Sequence, residues 1–221
     1  SAYLDVYLRE EIKAEALVRN VKSFNRFLEI AAMTNGEIVN YNNIASDCMV
    51  SANTAKEYFS ILEDTLIGYL VPAYSDKQKR RLVQAPRFYM FDVGLTNHLL
   101  KRKDIEEGTI EYGHAFEHLI IQELIAYISY TRNDNHLSYW RTYTGVEVDA
   151  VIGDAEIGIE VKSASSVSSS DTKGLRAFSE EHPQAKLILI SMEERPRMLN
   201  DIEVWPVNQF LQRLWQGKVV R

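Results

Sequence analysis

Val146-Glu-Val-Asp-Ala-Val-Ile-Gly-Asp-Ala-Glu-Ile-Gly-Ile-Glu-Val-Lys162 alternates apolar and polar side chains around a central Gly153-Asp154 pair. A period of two marks extended strands, and Gly-Asp suits a tight hairpin turn, so the stretch predicts two antiparallel strands. Folded about a two-residue turn, Ile152 stands opposite Ala155, Asp149 opposite Gly158 and Glu147 opposite Glu160. One face then carries Val148, Ala150, Ile152, Ala155, Ile157, Ile159 and Val161. The other carries Glu147, Asp149, Val151, Glu156, Gly158, Glu160 and Lys162.

On that second face Asp149 and Glu160 are diagonal neighbours, with β-carbons about 7 Å apart or less. Two carboxylates at that spacing can share a hard cation, Mg²⁺ or Mn²⁺, which takes oxygen ligands and keeps several waters. Lys162 projects from the same face. There it can orient or help deprotonate an attacking water and offset phosphate charge, as metal-assisted phosphodiester hydrolysis requires. Gly158 is expected to leave room for the ion and its waters. An antiparallel hairpin with one wet face shows the same alternation, so the string alone also fits a solvated surface.

Working outward, a helix is expected from Tyr112 to about Tyr130, with Gly113 and Glu117 on one side and Glu117 within reach of the carboxylates. A strand follows over Leu137–Tyr143, then the hairpin, a serine-rich loop from Ser165 to Ser170 and a helix over Asp171–Glu181. An apolar strand (Lys186–Ile190), a polar loop (Ser191–Asp201), a short strand (Ile202–Trp205) and a closing helix (Val207–Trp215) complete the chain. The crossover helix before a buried strand implies a mixed sheet.

The other half reads as helices over Tyr3–Val18 and Val21–Met33, then a helix-turn-helix: a short helix from Tyr41, a turn at Asp47–Val50 and a helix from Ser51 to Asp64. Ser51 is the expected N-cap. Strands at Tyr69–Val71 and Leu82–Phe91 flank a loop holding Lys77, Lys79, Arg80 and Arg81. Helices followed by a hairpin with a basic tip make a winged helix. Its second helix offers Asn53, Thr54 and Lys56 as groove contacts, with the loop lysines and arginines as phosphate contacts. Glu57, Glu63 and Asp64 on that helix disfavour DNA, and winged helices also dock proteins. The domains are therefore read as 1–100 and 112–221, joined by a linker over 101–111.

Gly113-x-x-x-Glu117, Tyr139-Trp-Arg141, Glu147-Val-Asp149 and Ile159-Glu-Val-Lys162, together with Tyr3-Leu-Asp-Val-Tyr-Leu-Arg9, resemble the C-terminal region of a prokaryotic AAA-type ATPase family. The resemblance spans nearly the whole chain. It implies an α/β (α+β overall) fold: a winged helix followed by a restriction-endonuclease-like, PD-(D/E)xK nuclease domain with Glu117, Asp149, Glu160 and Lys162 at the motif positions. The chain departs from that family in having no Gly-x-x-x-x-Gly-Lys-[Ser/Thr] phosphate loop, so ATP could be bound only by an upstream part. A first residue of Ser rather than Met fits such a missing part.

Composition bounds these readings. The chain has 221 residues, 46% of them hydrophobic, enough for one large domain or two modest ones. Cys48 is the only cysteine, which excludes an internal disulfide and fits a reducing, cytoplasmic setting. No run is long enough to span a membrane. A net charge of −6 excludes a generally basic surface, not a local basic patch. His114-Ala-Phe-Glu-His118 matches the string of inverted zinc peptidases, but no third ligand follows with the needed context. The expectation is thus a DNA-binding winged helix with a Mg²⁺-dependent nuclease-like domain. The alternative is a non-catalytic DNA- or protein-interaction module that keeps the nuclease fold as scaffold.

Overall fold

The computed structural model describes residues 21–75, 85–132 and 135–220. The helix expected over Tyr3–Val18 and the basic residues Lys77, Lys79, Arg80 and Arg81 lie outside them, as does the start of the strand expected from Leu82. The chain divides into two units, residues 1–70 with 85–104, and residues 71–84 with 105–221.

In the first unit, α1 (Val21–Met33), α2 (Tyr41–Cys48) and α3 (Ala52–Asp64) precede β1 (Gly68–Val71) and β2 (Arg87–Met90), which pair as a two-stranded sheet. Asn40 and Ser51 cap α2 and α3 by accepting from the N–H groups of Asn43 and Thr54. Each cap satisfies a donor that the first helical turn leaves unpaired. Phe59 meets Phe27 and Phe88 edge-on, both at 4.9 Å between ring centroids, which ties α1, α3 and β2 into one core. β1 starts at glycine because the Phe88 ring lies where a β-carbon on Gly68 would stand, 2.4 Å away. A further helix, α4 (Val93–Leu99), was not expected from the sequence. It is too short to show a periodic stripe, and its signal is the cap, Asp92 accepting from the Leu95 N–H.

The second unit is a mixed α/β layer structure. α5 (Ile110–Thr131) leads into β3 (Leu137–Arg141), β4 (Glu147–Ile152) and β5 (Ile157–Val161). α6 (Lys173–Glu181) then crosses to β6 (Lys186–Ser191), followed by β7 (Arg197–Leu199), β8 (Ile202–Pro206) and α7 (Val207–Trp215). The sheet order is β3-β4-β5-β6-β8-β7, with β5–β6 and β6–β8 parallel and the other pairs antiparallel. A parallel neighbour needs a crossover, and α6 supplies it between β5 and β6. The polar stretch Ser191–Asp201, expected as loop, contains the edge strand β7. Residues 72–74 add to the free edge of β3: Tyr139 donates to the Pro72 carbonyl at 3.0 Å, and Tyr74 donates back to the Tyr139 carbonyl.

The central hairpin forms, with a different register. Ile152 pairs with Ile157, Val151 with Gly158 and Ala150 with Ile159, so the turn is the four-residue Gly153–Glu156. Gly153 and Ala155 both adopt left-handed φ, +66° and +58°, and the Gly153 N–H is taken by the His136 carbonyl beside it. These left-handed residues and the bond to His136, just before β3, favour the longer turn over the two-residue one. A slip of two residues keeps each side chain on its face. A bulge does not: Ser138 pairs with Val151 but Trp140 with Val148, so Asp149 and Ala150 together oppose Tyr139. Val148 consequently joins Val151 in one cluster with Trp140, Leu175 and Phe178.

The polar face is not wet either. Phe178 and Leu175 of α6 cover Gly158, whose β-carbon would lie 2.9 Å from the Phe178 ring. The space expected there for an ion is filled by this helix. Among the described residues, no helix is long and apolar enough to cross a membrane.

Candidate functional site

Thr109 caps α5, accepting from the Tyr112 N–H at 3.2 Å, and starts a 22-residue helix that passes beside the end of β5. A β-carbon on Gly113 would meet Ser163 Oγ at 3.5 Å, an ordinary contact distance. Helix and strand thus form two walls of a cleft of about 340 Å³. One wall is Gly108, Thr109, Ile110, Gly113, His114 and Glu117, the other Val161, Lys162 and Ser163.

The hairpin carboxylates are not among the described residues that line this cleft. Asp149 and Glu160 are only 6% and 5% exposed, which removes the solvated-surface reading of the motif. Asp149 sits at the bulge, a device that re-aims a side chain. Its Oδ2 accepts from the Val161 N–H at 2.9 Å. Glu160 Oε1 is 2.6 Å from Lys162 Nζ, while Glu160 Oε2 is buried without a hydrogen-bond partner. Burial, then the charge of Asp149, pushes the Glu160 carboxyl up to about 8, against the pull of Lys162 and with a further push from Glu117. Burial draws Lys162 down, but Glu160, Asp149 and Glu117 more than offset it and raise the ammonium above its ordinary value. Lys162 is therefore held as a cation, able to donate to a water or a phosphate oxygen but not to take a proton.

The electrostatic influence of Glu117 on both Glu160 and Lys162 puts all four motif residues in one field. The donor set fits a hard cation: a buried carboxylate oxygen without a partner is costly unless something positive answers it. Among the described residues, no three His, Cys, Asp or Glu side chains come together as a metal-binding group. A cation at Asp149 and Glu160 would complete its shell with water or phosphate oxygens, as Mg²⁺ commonly does. Of the two histidines in the zinc-peptidase string, His118 is 1% exposed within α5, whereas His114 is exposed and lines the cleft.

A residue that the sequence did not single out is Gly174, in the first turn of α6. A β-carbon there would fall 2.0 Å from the Glu147 carbonyl oxygen and 3.0 Å from Glu160 Oε2. Its signal was a glycine inside a helical pattern, which costs propensity and so calls for a packing reason. In the first unit, Asn53 and Lys56 are exposed on α3. Thr54 is half-buried with its hydroxyl 2.9 Å from Ser51 Oγ, and Lys56 Nζ lies 5.4 Å from the centre of the Tyr41 ring. Glu63 turns inward instead and accepts from the Leu70 N–H at 3.2 Å.

Residues 112–210 match a domain of unknown function, DUF4143. DUF4143 is common in proteins associated with AAA ATPases. Here it spans α5 to the start of α7 and so contains Glu117, Asp149, Glu160 and Lys162. Residues 1–106 match a second domain of unknown function, DUF8612. No curated protein matches the chain.

Proposed function

We propose that the chain is the C-terminal part of an AAA-type ATPase whose DUF4143 region is a divalent-metal-dependent nuclease of restriction-endonuclease-like fold. In this reading α2, α3, β1 and β2 form a winged helix that binds DNA, with the exposed Asn53 and Lys56 and the neighbouring Thr54 on its groove-facing helix. The observation that carries the nuclease reading is Glu160 Oε2, a buried carboxylate oxygen without a partner, beside Asp149 and two residues before Lys162. An acid with its pKa raised by burial gives up its proton when a cation arrives, so the pair is suited to binding metal rather than to adding stability.

Asp149 and Glu160 would hold Mg²⁺ or Mn²⁺, and Glu117 would tune the charge around them. The ion, when bound, supplies Lewis-acid polarisation of the phosphate and acidifies water. Lys162 orients the attacking water and offsets phosphate charge. Asp149 is kept in place by the Val161 N–H and Glu160 by Lys162. The association with an ATPase is supported by the company DUF4143 keeps.

The test is incubation of the chain with plasmid and single-stranded DNA in Mg²⁺ or Mn²⁺, beside Glu160→Ala and Lys162→Ala. Cleavage by the parent and none by the variants is the expected result. Plasmid binding that weakens with salt, without cleavage, would replace the nuclease by a DNA-docking module on the same scaffold.

A further inference from the structure

We propose that His114 is a further catalytic residue of this site, the general acid that protonates the departing sugar oxygen; this rests on the nuclease reading above. Displacement at phosphorus runs in line, so the attacking water and the leaving oxygen lie on opposite sides of the phosphate. A cleft that serves the reaction therefore needs its water-orienting group on one wall and its proton donor on the other. Lys162 stands on the β5 wall, and His114 stands on the α5 wall facing the same space.

Three titratable side chains line this cleft: His114, Glu117 and Lys162. Lys162 is engaged by Glu160, its Nζ 2.6 Å from Glu160 Oε1. Glu117 is part of that carboxylate field, where a negative charge serves the cation. His114 lies three residues before Glu117, hence on the same side of α5, nearer the helix start and exposed. Imidazole is the side chain best matched to proton donation near neutral pH.

The step balances. The water oxygen forms a bond to phosphorus as the bond from phosphorus to the sugar oxygen breaks. The imidazolium proton passes to that oxygen, giving an alcohol and a phosphomonoester. The water proton goes to solvent, and a solvent proton restores the imidazolium.

Two substrates separate this role from simple binding. Plasmid DNA has a leaving alkoxide that needs a proton, whereas thymidine 5′-(p-nitrophenyl phosphate) releases a phenolate that does not. His114→Gln, on an exposed position, is expected to lose on the order of 100-fold in kcat on plasmid, the usual size of a general-acid contribution, and to stay within about threefold on the nitrophenyl ester. Equal losses on both substrates, or no loss on plasmid, would overturn the assignment while leaving the nuclease intact. A parent inactive on both would remove the nuclease itself. Independently of turnover, thymidine 3′,5′-bisphosphate is expected to shift the His114 imidazole resonance on binding, and an unmoved resonance would remove His114 from the phosphate's surroundings.

Discussion

Lys162 Nζ lies 2.6 Å from Glu160 Oε1, yet the Glu160 carboxyl is raised to about 8. Burial and the neighbouring Asp149 outweigh the ammonium because the two partners sit in different surroundings: the Glu160 side chain is 7% exposed and that of Lys162 36%. A short ion pair here does not satisfy the acid, and the second carboxylate oxygen has no partner at all. A cation that displaced the Glu160 proton would answer both carboxyl groups.

Divalent metal should therefore stabilise the folded chain. A ligand that binds only the native state adds about 2.7 kcal/mol at a hundred times its dissociation constant. Thermal melts with and without Mg²⁺ are expected to show a higher Tm with metal for the parent and no change for Asp149→Ala. A metal-induced rise retained in Asp149→Ala would place the cation elsewhere.

Without metal, the stability of the second unit should fall as pH rises. Glu160 carries a raised pKa, so between its ordinary value of 4.5 and about 8 the folded chain keeps a proton that the unfolded chain has released. The unfolded state then binds fewer protons, and unfolding free energy declines by at most about 1.4 kcal/mol per pH unit. Urea melts in chelator from pH 6 to 8 should show this slope for the parent and a flatter one for Glu160→Gln. A parent that gains stability over that window would contradict it.

Gly174→Ala should destabilise the second unit by about 1–3 kcal/mol, the usual cost of overpacking, because the added methyl meets the Glu147 backbone rather than a movable side chain. A Tm lower by several degrees, with weaker metal binding from the displaced Glu160, is the expected result. An unchanged Tm would mean that α6 shifts away from β4 at little cost.

Arg197 fastens the loop that follows Lys162. Its guanidinium donates to the Val167 carbonyl at 2.7 Å and to both Glu193 carboxylate oxygens, while Glu193 Oε1 accepts the Val167 N–H at 2.8 Å. Arg197→Ala is expected to speed hydrogen exchange at the Val167 amide by about tenfold, as about 1.4 kcal/mol of local protection is lost, with α1–α3 unaffected. Unchanged exchange at Val167 would show that Glu193 holds the loop alone.

Much of this molecule was legible from residues near one another in the chain. The helices Val21–Met33 and Val207–Trp215 end where their apolar spacing ends, and Ser51 caps α3 as its side chain and position require. The pairing of carboxylates and lysine on one hairpin followed from a period of two. These features are decided within a few residues by backbone sterics and by hydrogen bonds that each segment makes with itself.

What distant residues decided was hidden. The hairpin register depends on the four-residue turn at Gly153–Glu156 and on the His136 carbonyl that receives the Gly153 N–H. Asp149 is turned by a bulge defined only against β3. The dry environment of Glu160 comes from α6, which closes over the hairpin because Gly158 and Gly174 let it approach. Alternation along a strand states which side chains share a face. Whether that face meets water or another layer is set by what packs upon it, and for Asp149 and Glu160 that packing turned a polar stripe into a buried site.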